Sequence, residues 1–285
     1  MENITLHNGD SAEVLKQYPD NHFDSVVTDP PYGIEFLGKD WDSNTGAIEV
    51  WQECLRVLKP GGYMLAFSAA RTYHRLAVNL EDVGFEIKDQ IMWLYGSGFP
   101  KAQDIGKKSG NDEWAGWKTG LKPAHEPIVM CRKPLDNKVI GEIEGYQKYF
   151  YSPKVNRKER HNGLFEDSKD IPIMFAGDEG GGANAVNIRN NITGYSDLDK
   201  YGGEEIKTSK DNTLGNNHPT VKPVALMNYL VTLITPPNGK VLDPFNGSGS
   251  TGMAVKEFGG EYTGIDLDEN YIEISRKRID AWDNK

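Results

Sequence analysis

Val241-Leu242-Asp243-Pro244-Phe245-Asn246-Gly247-Ser248-Gly249-Ser250-Thr251-Gly252 reads as a buried strand, a glycine-rich turn and the start of a helix. The helix runs on through Met253 to Phe258 and stops at Gly259-Gly260. A second strand, Tyr262-Thr263-Gly264-Ile265, then delivers Asp266. Strand, crossover helix and strand in this order specify a parallel pair of an α/β sheet. The glycines let a backbone approach a ligand closely and take conformations other residues avoid. An acid at the end of the second strand commonly binds ribose hydroxyls. The unit is suited to an adenosine-type cofactor.

A second polar feature lies near the other end. Asp24-Ser25-Val26-Val27-Thr28 has the β-branched character of a short buried strand and runs into Asp29-Pro30-Pro31-Tyr32. Proline lacks an N–H and fixes φ, so neighbouring carbonyls are left pointing outward. Asp29 and Pro30 thus form a rigid cup able to accept both hydrogens of an NH2 group. Tyr32 offers a flat face for a planar ring. An aromatic amine held this way points to chemistry on a nucleobase; by itself, such a tetrapeptide is more often a turn after a strand, and it is the conjunction with the glycine turn that changes the balance.

The rest of the chain supports the same architecture. Strands are expected at Ile4–His7, Tyr63–Phe67, Ile91–Tyr95 and His125–Met130. Helices are expected over Ala12–Tyr18 with Ser11 as cap, Ala47–Leu58 ending at Lys59-Pro60-Gly61-Gly62, Arg71–Asp82, and from Pro223 through Leu230. Alternation of this kind implies a doubly wound, mostly parallel, Rossmann-like sheet. Between about 136 and 217 the periodicity fails, with Gly180-Gly181-Gly182 and many Asn and Asp. So long a structureless stretch is unusual inside a compact fold, and it is read as an inserted recognition region. The expected division is 1–135, one half of the core; 136–217, the insert; 218–285, the other half.

At 285 residues, the chain suits one α/β domain carrying an insertion, or two small domains. Met1-Glu2-Asn3-Ile4 lacks the pattern of a secretory leader and no apolar run reaches spanning length, so a cytoplasmic location is expected and no membrane partner. Cys54 and Cys131 are the only cysteines, which supports neither a disulfide framework nor a cysteine zinc site; no metal is expected. A net charge of −10 speaks mildly against nucleic acid, but local field matters more. Lys148, Lys154, Arg157, Lys158 and Arg160 stand against one acid, Glu159, with Tyr149, Phe150 and Tyr151 interleaved. That segment is either a solvated loop face or a nucleic-acid groove.

Gly247-x-Gly249-x-x-Gly252 matches the dinucleotide fingerprint, with Asp266 near the expected spacing of about 20 residues. A nicotinamide dehydrogenase is therefore a competitor, but it has no use for Asp29-Pro30-Pro31-Tyr32, and too little chain follows Gly252 for a whole dinucleotide domain. No Gly-Lys-Ser/Thr follows the glycines, against an NTP phosphate loop. Asp10 reads as a turn residue or as an acceptor for an adenine amine. His218-Pro219-Thr220-Val221-Lys222-Pro223 reads as a helix cap, or as a lysine placed beside the cofactor to pair with a carboxylate.

Taken together, these residues resemble the beta-class DNA amino-methyltransferases, which use S-adenosylmethionine. The likeness runs in order through Asp29 to Tyr32, Leu55-Arg56-Val57-Leu58-Lys59-Pro60-Gly61-Gly62, Gly96-Ser97-Gly98-Phe99-Pro100-Lys101, Leu121-Lys122-Pro123-Ala124-His125-Glu126-Pro127-Ile128, His218 to Pro223 and the glycine turn. It implies a circularly permuted motif order, catalytic motif first and cofactor loop last. Amino-methyltransferases of RNA or protein glutamine usually show the opposite order. By resemblance, Asp29, Pro30, Pro31 and Tyr32 hold a flipped adenine of double-stranded DNA, with N4 of cytosine as the alternative target. Asp243, Phe245, Gly247, Ser248 and Gly249 border the cofactor, Asp266 takes its ribose, Asp10 its adenine, and Lys222 faces its methionine carboxylate. Family members often carry Glu where Asp266 stands. A companion restriction enzyme and a homodimer are compatible with the resemblance, which covers the insert least.

Overall fold

The computed structural model describes residues 3–34, 42–96, 103–121, 123–135, 149–151, 154–155, 157–164, 216, 218 and 220–282. In chain order its elements are β1 (Ile4–Asn8), α1 (Ser11–Leu15), β2 (Phe23–Thr28), α2 (Ile48–Val57), β3 (Leu58–Phe67), α3 (Tyr73–Val83), β4 (Glu86–Leu94), α4 (Ile105–Ser109), β5 (His125–Arg132), β6 (Tyr149–Tyr151), α5 (Arg157–Arg160), α6 (Val224–Ile234), β7 (Lys240–Asp243), α7 (Ser250–Phe258), β8 (Glu261–Asp266) and α8 (Glu269–Asp280). The strands form one eight-stranded sheet in the order β1-β8-β7-β2-β3-β5-β4-β6. Seven run in one direction. β5 alone is reversed, antiparallel to β3 on one side and to β4 on the other.

Apolar runs without interruption mark strands covered on both faces. Val26, Met64 and Leu242 point to one core with Leu15, Trp51, Cys54, Leu76 and Leu80 of α1, α2 and α3. Their neighbours Val27, Leu65 and Val241 point to the other with Leu226, Met227, Leu230 and Met253 of α6 and α7. Each such side chain contributes roughly 1.5–3 kcal/mol by burial. The central strands β7, β2 and β3 therefore cannot slip by one residue without exchanging the two cores.

This order decides where ligands bind. From β7 the chain proceeds to β8 on one side; from β2 it proceeds to β3 on the other. β2 and β7 lie side by side, with Ser25 opposite Val241 and Val26 opposite Leu242. A crevice opens at the carboxyl ends of two strands whose connections diverge, the usual ligand position in open α/β sheets.

Local details differ from the sequence expectations. Asp10, not Ser11, caps α1, accepting from the Glu13 amide at 3.1 Å. The Ser11 hydroxyl instead donates to the Pro244 carbonyl at 2.6 Å, tying this helix to the glycine turn. α2 ends at Val57, and Leu58–Gly62, expected as a helix end and turn, opens β3. The stretch read as an insert also contributes to the core body. β6 pairs with β4 along Met92–Leu94, and His161 is 2% exposed. Gly180-Gly181-Gly182 lies outside the described residues. Among these, no helix is long and apolar enough to cross a membrane.

Candidate active site

Thr28 ends β2 and Asp243 ends β7, and the Thr28 hydroxyl donates to Asp243 Oδ1 at 2.7 Å, fastening the two strand ends. Asp243 also accepts from Thr251 (2.6 Å) and from the Phe245 amide (3.1 Å). With both oxygens engaged and 2% exposure, Asp243 is a brace for the turn. Burial pushes its carboxyl up to about 6, against the hydrogen bonds from Thr251 and Thr28.

The glycine turn has left-handed φ at Gly247 (50°) and Gly249 (80°), as its composition implies. The close approach, however, is to the protein's own side chains. A Cβ on Gly247 would stand 2.8 Å from His218 Nε2, and one on Gly249 would stand 2.3 Å from Ser275 Oγ. The Gly247 amide donates to Asp266 Oδ2 (2.8 Å) and the Asp268 amide to Asp266 Oδ1 (2.9 Å), each leaving a lone pair for a ligand. Asp10 is exposed at the start of α1. Phe245 packs on Trp51 with ring centroids 5.5 Å apart. Ser248 is 4% exposed and accepts from Arg278 at 2.9 Å through its hydroxyl. Burial lowers the Arg278 guanidinium to about 10.

Asp29, Pro30, Pro31 and Tyr32 occupy the carboxyl end of β2, with Pro30 buried and the other three half-buried. The loop is held from below by Asp42, 1% exposed, whose Oδ1 accepts from the amides of Tyr32 (2.5 Å) and Gly33 (3.1 Å) and whose Oδ2 accepts from Ile34 (3.3 Å). The Tyr32 hydroxyl sits 2.8 Å from Asp29 Oδ1 and 3.0 Å from Glu126 Oε2, sharing one proton between two acceptors. Lys222, 5% exposed, pairs with Asp29 Oδ2 and lies 3.5 Å from Glu126 Oε2. Its ammonium also faces the Phe67 ring at 5.0 Å and the Tyr32 ring at 5.4 Å. Expected opposite a cofactor carboxylate, Lys222 here bonds to the catalytic-motif carboxylate.

These interactions move the two carboxyls apart. Burial raises Asp29 above its ordinary range despite Lys222. Burial acts the same way on Glu126, but the fields of Lys222 and Lys154 and the hydrogen bonds of Tyr32 and Lys154 outweigh it and hold Glu126 below its ordinary value. Lys222 is raised, because Asp29 and Glu126 overcome its desolvation.

Of the basic segment, Lys154 turns onto Glu126 at 3.2 Å and lies over the Tyr95 ring at 4.3 Å. Arg160, expected on nucleic acid, points inward and donates to the His218 carbonyl at 2.6 Å; burial lowers its guanidinium below the ordinary value. Lys148 and the side chains of Arg157 and Lys158 lie outside the described residues. Sequence reasoning misses three participants. Asp42 sits in a stretch without pattern. His218 belongs to a motif whose sequence gives it no role of its own. Glu126 carries a usable signal: a carboxylate within an apolar strand must be paired to be buried.

One narrow cleft is lined by Asp29, Lys222, Phe245, Gly247 and Ser248 together. The chemistry of its lining suits a charged adenosine-type cofactor: an aromatic face at Phe245 and a buried cation at Lys222, with the Asp266 carboxylate bonded to the lining Gly247 amide.

The sheet order and this cleft define a Rossmann-like α/β scaffold with a ligand site at the carboxyl ends of its central strands. The family model described as DNA methylase, for N6 and N4 amino-methyltransferases, matches residues 23–277, and the chain belongs to that family. The type II methyltransferase M.HindIII of Haemophilus influenzae is 25% identical, spanning 96% of this chain and 94% of its own length. The DNA adenine methyltransferase YhdJ of Escherichia coli is 27% identical over 97% and 83%. The crystal structure of an M1.HpyAVI–SAM complex superposes with a TM-score of 0.55 at 22% identity, covering 96% of this chain and 99% of that one. At that identity it shows the shared fold.

Proposed function

We propose that the protein transfers a methyl group from S-adenosylmethionine to the exocyclic N6 of an adenine in double-stranded DNA. The observation that supports this most directly is the single cleft lined by both the Asp29 carboxylate and the glycine turn. Bound there, S-adenosylmethionine supplies an electrophilic methyl on a sulfonium. Phe245, Gly247 and Ser248 would line its place, Asp266 would accept from its ribose hydroxyls and Asp10 from its adenine amine.

An adenine amine is a weak nucleophile because its lone pair delocalises into the ring. Asp29 and the Pro30 carbonyl accept its two hydrogens and hold the nitrogen with its lone pair directed toward the cofactor side. This is catalysis by positioning and fixed charge. Asp29 need not take a proton first; the nitrogen sheds one after it becomes cationic. The target lies inside a duplex and must leave the stack to reach the cup. Tyr32, its hydroxyl anchored on two carboxylates, presents a ring of fixed orientation for it. Lys148, Arg157 and Lys158 are assigned to the DNA backbone.

Asp29→Ala should lower methyl transfer at least ~10²–10³-fold while cofactor binding by calorimetry survives. Near-normal turnover would remove this mechanism. Direct calling of modified bases in DNA from expressing cells reads the target, and N4-methylcytosine instead of N6-methyladenine would replace the substrate assignment.

A further inference from the structure

The Asp29 cup already holds a cation. Lys222 Nζ sits on Asp29 Oδ2, and the Tyr32 hydroxyl takes Oδ1. An incoming amine competes with the Lys222 ammonium for Oδ2, and any amine that takes its place leaves Lys222 in need of another partner. At 5% exposure this ammonium has little water to turn to, and a buried charge stripped of its partner is strongly unfavourable.

A second carboxylate stands within reach. Glu126 Oε2 is 3.5 Å from Lys222 Nζ, on the reversed strand β5, whose start lies at the same edge of the sheet as the carboxyl end of β2. The groups facing Glu126 are Tyr32 and Asp29 after β2, Tyr95 after β4, Lys154, and Lys222 ahead of α6. Two cations and two carboxylates balance in this cluster, so it stays neutral wherever Lys222 rests within it.

We propose that Glu126 is a positioning residue: it receives the Lys222 ammonium when the target amine takes Asp29, so the cup clears without stranding a buried charge. The inference rests on the amine-docking role of Asp29 given above and assigns Glu126 a part in substrate admission. Lys222 acts as a placeholder for the amine, and the energy of docking is a difference between two ion pairs.

The test uses the whole protein without methyl donor and two duplexes carrying its mapped site. One has adenine at the target; the other has purine, which lacks the exocyclic amine and leaves Lys222 on Asp29. Glu126→Gln should weaken binding of the adenine duplex on the order of 30-fold and leave the purine duplex within about twofold. Glu126→Asp should recover part of the loss. Equal weakening of both duplexes, or no weakening of either, in a variant with wild-type thermal midpoint and cofactor affinity, overturns the proposal. If Glu126→Gln does not fold, the same adenine–purine contrast in Glu126→Asp decides. Wild-type protein that methylates no DNA would instead sink the functional reading, so the two failures are distinct.

Discussion

His218 and Asp243 flank the same turn and titrate in opposite senses. Burial, then the fields of Lys222, Arg160 and Arg278, lower the His218 imidazole to about 3. The unfolded chain takes up a proton below its ordinary 6.5 that the native imidazole refuses, so stability falls as pH drops from 6.5 toward 3. Asp243, raised to about 6, acts the other way: the native carboxyl keeps its proton between about 4 and 6, and that contribution is lost as pH rises through 6. The larger displacement belongs to the histidine, so acidification is net destabilising at this turn. His218→Asn, which keeps an acceptor for the Thr220 amide, should remove the histidine's share and leave that of Asp243, so the variant's stability change from pH 6.5 to 4.5 should be more favourable than the wild type's by roughly 2 kcal/mol. Urea unfolding at the two pH values checks this; identical pH dependence in both proteins would assign the acid sensitivity elsewhere.

α7 begins where Gly249 adopts a left-handed conformation and lies against Ser275 of α8. The turn is therefore shaped by helix–helix packing as much as by any ligand. Gly249→Ala adds both backbone strain and a 2.3 Å clash with Ser275 Oγ. It should cost about 1–3 kcal/mol, seen as a lower thermal midpoint, and weaken cofactor binding by moving Ser248 and Gly247. Adding Ser275→Gly should restore the steric part and leave the φ part. A double variant no better than the single would show that the clash is absorbed without cost.

A body of net charge −10 repels a polyanion, so any duplex affinity must come from a local basic face. Lys154 and Arg160 are engaged by internal partners, Glu126 and the His218 carbonyl. That leaves Lys148, Arg157 and Lys158 of the basic segment. Replacing these three by Gln should reduce the slope of log affinity against log salt by about 0.9 for each phosphate no longer neutralised, with Lys154→Gln changing it far less. Titration of DNA binding from low to high salt measures this; an unaltered slope in the triple variant would place those charges in solvent.

Much of the scaffold was legible because burial on both faces leaves a mark in the chain. Val26-Val27, Met64-Leu65 and Val241-Leu242 are apolar on consecutive residues, which only a doubly covered strand requires. Asp29-Pro30-Pro31-Tyr32 and the glycine turn stood out because proline and glycine constrain their own backbones. What such local patterns omit is which strand neighbours which. The adjacency of β2 and β7, the reversal of β5 and the convergence of Lys222 on Asp29, 193 residues apart, arise from pairing and burial in three dimensions. Side-chain type and period determined the strands, the cup and the turn; the packing of one sheet between two helical layers decided that they share a cleft, and that a lysine and a second carboxylate stand inside it.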